Sequence, residues 1–210
     1  MNNYTMDCYE TKREILNFSK KMTIGLNKTI TKFVIDMQYG LSRGKSCLIS
    51  EIARSLDEQI KLKNTIERLC DNLVGIKDEE KEQIEKNYQN EIKKYFGEEA
   101  IAIFDDSDIA KRYGKKFEDL DEIIDASSEK KEVVKGYHVC EATILGEKEK
   151  QPFSVYSKIY SCKSEEFRSM NHYTKESIQR VIDVLKRKCN MVFDRGYDDN
   201  KIIEYVDQSD

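Results

Sequence analysis

The sequence predicts an α/β chain: an all-α helical region first, then a mixed sheet with flanking helices. Three observations predict it. Before residue 100, apolar residues recur at spacings of three and four, the period of an amphipathic helix. After it, the pattern changes to short apolar or alternating runs bounded by turn residues, the period of strands. Two of those runs end in acid: Ile101-Ala102-Ile103-Phe104-Asp105-Asp106-Ser107-Asp108 and Asn190-Met191-Val192-Phe193-Asp194-Arg195-Gly196. A continuous apolar run this short reads as a buried strand. Acids at its end put negative charge at a sheet edge, which is costly unless something cationic sits there. Asp105 and Asp194 are therefore expected to meet in space and hold a divalent metal.

Composition narrows the classes. The 210 residues are enough for one large domain or two small ones, and 39% apolar against 36% charged residues makes a thin core feasible. The net charge of −4 carries no global nucleic-acid signal, so DNA contact has to come from a local basic face. None of the six cysteines forms a C-x-x-C pair and there are only two histidines, which points away from zinc and towards scattered reduced thiols. No signal peptide and no apolar run of membrane-spanning length is present, so a cytoplasmic protein with no membrane partner is expected.

In chain order, residues 1–9 read as a frayed start. Glu10 to Ser42 is helical, with Ile15, Phe18, Ile30, Phe33, Val34 and Met37 on the apolar side and Gly25 and Gly40 as punctuation. Gly44-Lys45-Ser46 is not a phosphate loop. Gly40 is one residue too close for G-x-x-x-x-G-K-S, and a helix precedes it where that motif needs a strand. Ile49 to Leu56 is a short helix, Asp57-Glu58-Gln59 turns the chain, and a second helix carries Leu62, Ile66, Leu69 and Leu73 on one face. Its opposite face shows Lys61, Asn64, Thr65 and Arg68, so the pair has a helix-turn-helix outline with a basic second helix. From Lys20 to Arg68 ten Lys/Arg face five acids, a local excess that favours phosphate contact. Lys77 to Phe96 is a charged connector helix, with Gly97 expected as its C-cap.

Ile101 to Phe104 is the first predicted strand. Residues 109–135 read as a long polar surface excursion. Gly136 to Gly146 is a strand with His138, Cys140, Ala142 and Ile144 on one face, and Phe153 to Tyr160 forms a hairpin with it, with Phe153, Val155 and Ile159 on one face. After a loop over 161–173, Thr174 is expected to cap a helix carrying Ile178, Val181, Ile182 and Leu185. The strand Met191–Phe193 follows, then a helix from Asn200 to Val206. A helix before the last strand allows a crossover that lays it parallel beside the first. Asp105 and Asp194 then lie at the carboxyl ends of neighbouring parallel strands, where open α/β sheets usually bind ligands. Asp194-Arg195-Gly196 also fits a plain strand-to-loop turn, and Arg195 fits either a DNA phosphate or a nearby acid. His138 reads as a core histidine, His172 as an exposed loop residue, and Tyr137 and Tyr197 as packing residues.

Several stretches together resemble a bacterial insertion-sequence DDE transposase of the cut-and-paste class. They are Phe104-Asp105-Asp106-Ser107-Asp108-Ile109-Ala110-Lys111, the Gly136-Tyr137 strand start, the Pro152–Tyr160 strand and Val192-Phe193-Asp194-Arg195-Gly196-Tyr197. The region Cys47–Leu73 is similar to the helical DNA-binding part of such enzymes. The likeness spans nearly the whole chain and corresponds to the first two-thirds or less of such an enzyme. It implies a helical DNA-binding region over 1–75, a connector over 76–99 and an incomplete RNase H-like core over 100–210.

The resemblance also implies three acids that bind two Mg²⁺ (or Mn²⁺) ions. By the D-x-[ST] form the first falls on Asp105, with Asp106 and Asp108 as the choices in another register; the second falls on Asp194. The third is a glutamate in a Y-x-x-R-x-x-x-E-type helix far downstream, and this sequence has no such motif. Glu204 lies on the wrong helix. Two ions about 3.5–4 Å apart activate the attacking oxygen and stabilise the leaving one. Two aspartates hold that pair weakly or not at all, so the expectation is a truncated, largely inactive relative. Its implied partners are double-stranded transposon ends and itself or a full-length transposase. The DNA contacts are expected from Lys61, Lys63, Asn64, Arg68 and Arg195. The competing readings are a non-catalytic DNA-binding fragment that regulates transposition and an unrelated RNase H-like nuclease.

Overall fold

The structure is a computed structural model that describes residues 3–125, 132–148 and 150–208, with side chains from residue 9 onward. It is mixed α/β and divides into two compact units, Met1–Glu91 and Ile92–Asp210. Among the described residues no helix is long and apolar enough to cross a membrane.

The first unit is helical: α1 (Asn3–Met22), α2 (Lys28–Gly44), α3 (Ile49–Leu56), α4 (Leu62–Gly75) and most of α5 (Asp78–Ile92). The break between α1 and α2 falls where Gly25 takes φ +87° and Asn27 caps α2 by accepting from the Ile30 N–H at 3.0 Å. Gly40 is not a break. It lies inside α2, where a Cβ would sit 2.5 Å from Ile52 Cγ2, so its lack of a side chain lets α3 approach. Lys45 ends α2 in the left-handed conformation and donates its N–H to Leu41 O, which makes Gly44-Lys45-Ser46 a helix terminus rather than a phosphate cradle. Ile30, Phe33, Val34, Ile52, Ala53 and Leu69 form the core.

α4 is rotated from the expected placement. Thr65 and Leu69 are buried, at 2% and 0% exposure, while Leu62 and Leu73 lean towards solvent. The cause is electrostatic. Asp36 of α2 and Glu58 of the α3–α4 link are half-buried, and Arg68 turns inward to neutralise both, at 2.7 and 2.8 Å. Thr65 Oγ1 adds a hydrogen bond to Glu58 at 2.9 Å. The expected polar face is therefore split. Lys61, Lys63 and Asn64 are exposed, while Thr65 and Arg68 belong to the interior network.

α5 ends at Ile92 and runs into a short 3-10 turn, Lys93–Tyr95, capped by Phe96; Gly97 lies beyond it and caps no α-helix. The second unit carries a five-stranded sheet: β1 (Ile101–Ala110), β2 (Asp121–Ile124), β3 (Val133–Leu145), β4 (Pro152–Tyr160) and β5 (Asn190–Phe193). β1 is longer than its apolar run. β3 has 13 residues and pairs with every residue of β1, so the backbone of the acidic stretch is satisfied by the ladder although its side chains are polar. The predicted excursion over 109–135 contains β2, an edge strand antiparallel to the start of β3; its turn towards β3 lies mostly outside the described residues. A register shift beside Ala142 and Thr143 breaks the alternation of β4, so Val155 is buried while Ile159 is exposed.

α6 (Met170–Leu185) covers the sheet face that carries Ala102, Phe104, Cys140, Ala142 and Ile144, using Ile178 and Val181. Its N-cap is Ser169, which accepts from the His172 N–H; Thr174 is buried inside the helix instead, and His172 belongs to the first turn. α6 then delivers β5 parallel to β1, with Ile101 opposite Asn190 and Phe104 opposite Phe193. The turn Arg195–Tyr197 and α7 (Asn200–Gln208) follow.

Candidate metal centre past the β1–β5 pairing

The last pair of the β1–β5 ladder is Phe104 and Phe193, whose rings stack at 4.5 Å between centroids. Asp105 is the next residue of β1 and Asp194 the first after β5, so the parallel pairing makes the two predicted acids neighbours in register; Asp105, expected at a strand end, lies mid-strand, because β3 pairs with β1 as far as Ala110. Both are exposed. Asp194 is fixed by its own turn: its Oδ1 accepts from the Arg195 N–H at 2.6 Å. A cleft of about 290 Å³ opens beside it, lined by Arg195, Tyr197, Ile202 and Val206 among others. Arg195 is exposed at the rim of that cleft.

Alternation along β1 puts Asp106 and Asp108 on the opposite side of the strand from Asp105, the side of Phe104 and α6. Partial burial raises the Asp106 carboxyl above its ordinary range. The Cys140 thiol, the Tyr197 hydroxyl and His138 oppose that rise, and the neighbouring Asp105 adds to it. Burial and the Asp106 charge push the Cys140 thiol up to about 12. The Tyr197 hydroxyl is buried beside Asp106. Among the described residues no lysine or arginine forms an ion pair with Asp105, Asp106 or Asp194. The carboxylates of Asp105 and Asp194, both exposed past the last pair of the β1–β5 ladder, are oxygen donors of the kind a hard, water-carrying cation such as Mg²⁺ takes.

Asp108 is committed elsewhere. Its Oδ1 lies 2.7 Å from Nδ1 of His138, and His138 is no core histidine: it is half-buried, stacked on Tyr160, with Nε2 3.7 Å from Asp121. Of the predicted DNA-contact residues, Lys61, Lys63 and Asn64 are together at the start of α4, whereas Arg68 spends its guanidinium on Asp36 and Glu58. Burial alone would raise Glu58, but hydrogen bonds from Arg68, Thr65 and Lys32 override it and hold the carboxyl near about 2. Sequence reasoning missed β2, and with it the place of Asp121, because β2 carries little apolar signal; Tyr197 packs against Phe193 as expected, at 5.5 Å between ring centroids.

Compared with models of known protein families and with characterised proteins, the chain matches none.

Proposed function

We propose that this chain is related to bacterial insertion-sequence DDE transposases, that its second unit is an RNase H-like core, and that Asp105 and Asp194 bind Mg²⁺ or Mn²⁺ there. The observation that carries this reading is the parallel β1–β5 pair, whose register leaves the two acids as neighbours past Phe104 and Phe193. The order of elements supports it too. β1, β3 and β4 form an antiparallel run, and α6 carries the chain to a strand parallel to the first. A bound divalent ion would supply charge stabilisation for phosphoryl transfer. The chain's own contribution is to fix Asp194 through its turn and to keep Asp105 on a rigid strand, with Arg195 at the rim available to a phosphate oxygen. In the first unit, the start of α4 offers Lys61, Lys63 and Asn64 to double-stranded DNA, as the N-terminal turn of a recognition helix does. Arg68 holds that helix in place rather than touching DNA.

Calorimetric titration with Mn²⁺ and Mg²⁺ tests the site on the full chain. Binding by the unaltered protein that is abolished in both Asp105→Asn and Asp194→Asn supports the reading. Binding that survives both changes, or none at all in a protein with native circular dichroism, removes it. Robust nicking of supercoiled DNA that depends on Asp194 would keep the site but overturn the expectation of weak activity.

A further inference from the structure

A second cluster lies away from Asp105 and Asp194, and its chemistry is different. β2 and β4 line the same edge of β3 end to end: Asp121 pairs with Gly136, and Tyr160 pairs with His138 two residues further on. At the seam between them stand Asp121, which opens β2, His138 of β3, and Cys162, which follows β4. One ligand atom from each lies within 4.8 Å of the other two.

Each of the three is held where it stands. Asp121 is buried, and its two oxygens accept the backbone N–H groups of Glu122 at 2.8 Å and Cys162 at 2.9 Å. His138 is gripped from behind: Asp108 takes Nδ1 at 2.7 Å, and Tyr160 stacks on the ring. With Nδ1 held by that carboxylate, Nε2 is the nitrogen that faces Asp121, at 3.7 Å. Carboxylate, imidazole and open nitrogen in this order are the arrangement that orients histidine ligands of metals. Cys162 is exposed, so its side chain can turn about Cβ.

Magnitudes favour a small tetrahedral ion. With bonds of about 2.0–2.3 Å, zinc keeps its ligand atoms about 3.3–3.6 Å apart. The Nε2···Oδ2 separation of 3.7 Å is close to that already. One thiol, one imidazole and one carboxylate form a zinc-class donor set; Mg²⁺ takes oxygen. Without an ion, the carboxylate disfavours a thiolate beside it. Burial and Asp121 both raise the Cys162 thiol. Lys163, 3.9 Å from Asp121, is a distant counter-charge.

We propose that Asp121, His138 and Cys162 bind one zinc-class divalent ion, that Asp108 orients the imidazole for it, and that the ion staples β2 and β4 along their shared edge of β3. Binding forms a metal–sulfur bond and releases the thiol proton to solvent, and water completes the fourth position. The absence of C-x-x-C pairs pointed away from zinc, but a site assembled from three separate strands needs no such pair.

The test uses the full chain, freed of metal and titrated with Co²⁺, whose thiolate charge-transfer band reports sulfur ligation. One equivalent should bind with that band and be displaced by Zn²⁺. The band should be lost in Cys162→Ser. In Asp108→Asn the stoichiometry should hold while affinity falls about 10- to 100-fold. The thiolate band should persist in the variant Asp105→Asn with Asp194→Asn. A folded protein with no thiolate band, or a band that persists in Cys162→Ser, overturns the proposal. Should Cys162→Ser fail to fold, Asp121→Asn decides: loss of affinity supports the site, and unchanged affinity overturns it.

Discussion

In the helical unit, Asp36 and Glu58 close on Arg68, with Lys32 bridging the same two acids from outside at 2.6 and 3.2 Å. In the sheet unit, Asp105 and Asp106 lie mid-strand in β1 and Asp194 just past β5, and among the described residues no lysine or arginine pairs with them. The first group is completed by the protein itself, and its central carboxyl is held well below the ordinary range. The second is left incomplete, and the carboxyl of Asp106 is pushed above the ordinary range by partial burial, with Asp105 adding to the rise. Acids with their own cations hold a fold together, whereas acids without them are available to a cation from solution.

Removing the internal cation should have the largest effect on stability. Arg68→Ala leaves Asp36 and Glu58 facing each other. Denaturant unfolding should report a loss of about 1–3 kcal/mol, less than for a fully buried pair because all three side chains keep some solvent contact. The same network predicts an acid limb. Glu58 titrates at 4.5 when unfolded and at about 2 when folded, so its stabilisation is complete above 4.5 and is lost as the pH falls towards 2. Stability measured across that window should fall in the unaltered protein and change less in Arg68→Ala. An Arg68→Ala protein as stable as the original would break the contrast between the two units.

A smaller effect separates Arg68, spent on Asp36 and Glu58, from the exposed lysines at the start of α4, of which Lys63 pairs with Glu67 on its own helix at 3.4 Å. Lys61→Glu with Lys63→Glu should weaken binding to double-stranded DNA and lower the slope of log affinity against log salt by about 2, one phosphate per lysine. The fold should be unchanged, since both side chains are exposed. An unaltered salt slope would move the DNA contact away from α4.

The smallest effect belongs to the sheet unit. A raised carboxyl costs stability once the pH exceeds its folded-state value, the reverse of Glu58. Asp106→Asn should therefore be neutral or stabilising at neutral pH, by less than about 1 kcal/mol because the side chain keeps solvent contact. A clear destabilisation would mean that Asp106 is anchored by the protein in the way Glu58 is.

Much of this was legible in local pattern. The stripe Ile30, Phe33, Val34 and Met37 fixes α2, and the face His138, Cys140, Ala142 and Ile144 fixes β3, because burial of one face imposes a period on the residues that form it. The apolar runs before Asp105 and Asp194 located the start of β1 and β5, and a helix between strands gave the parallel crossover. These are properties of neighbours in sequence, so the sequence by itself determined them. It did not determine which way α4 turns, because a charge on Asp36 outweighs the preference of Leu62 and Leu73 for the interior, and Asp36 is 32 residues from Arg68. It did not determine β2, whose short run is stabilised by pairing with β3 rather than by its own composition. Nor did it determine the partner of Asp108 or the meeting of Asp121, His138 and Cys162. Those side chains become neighbours only when three strands are laid on one sheet, and the chemistry of a cluster depends on distances that no local period encodes.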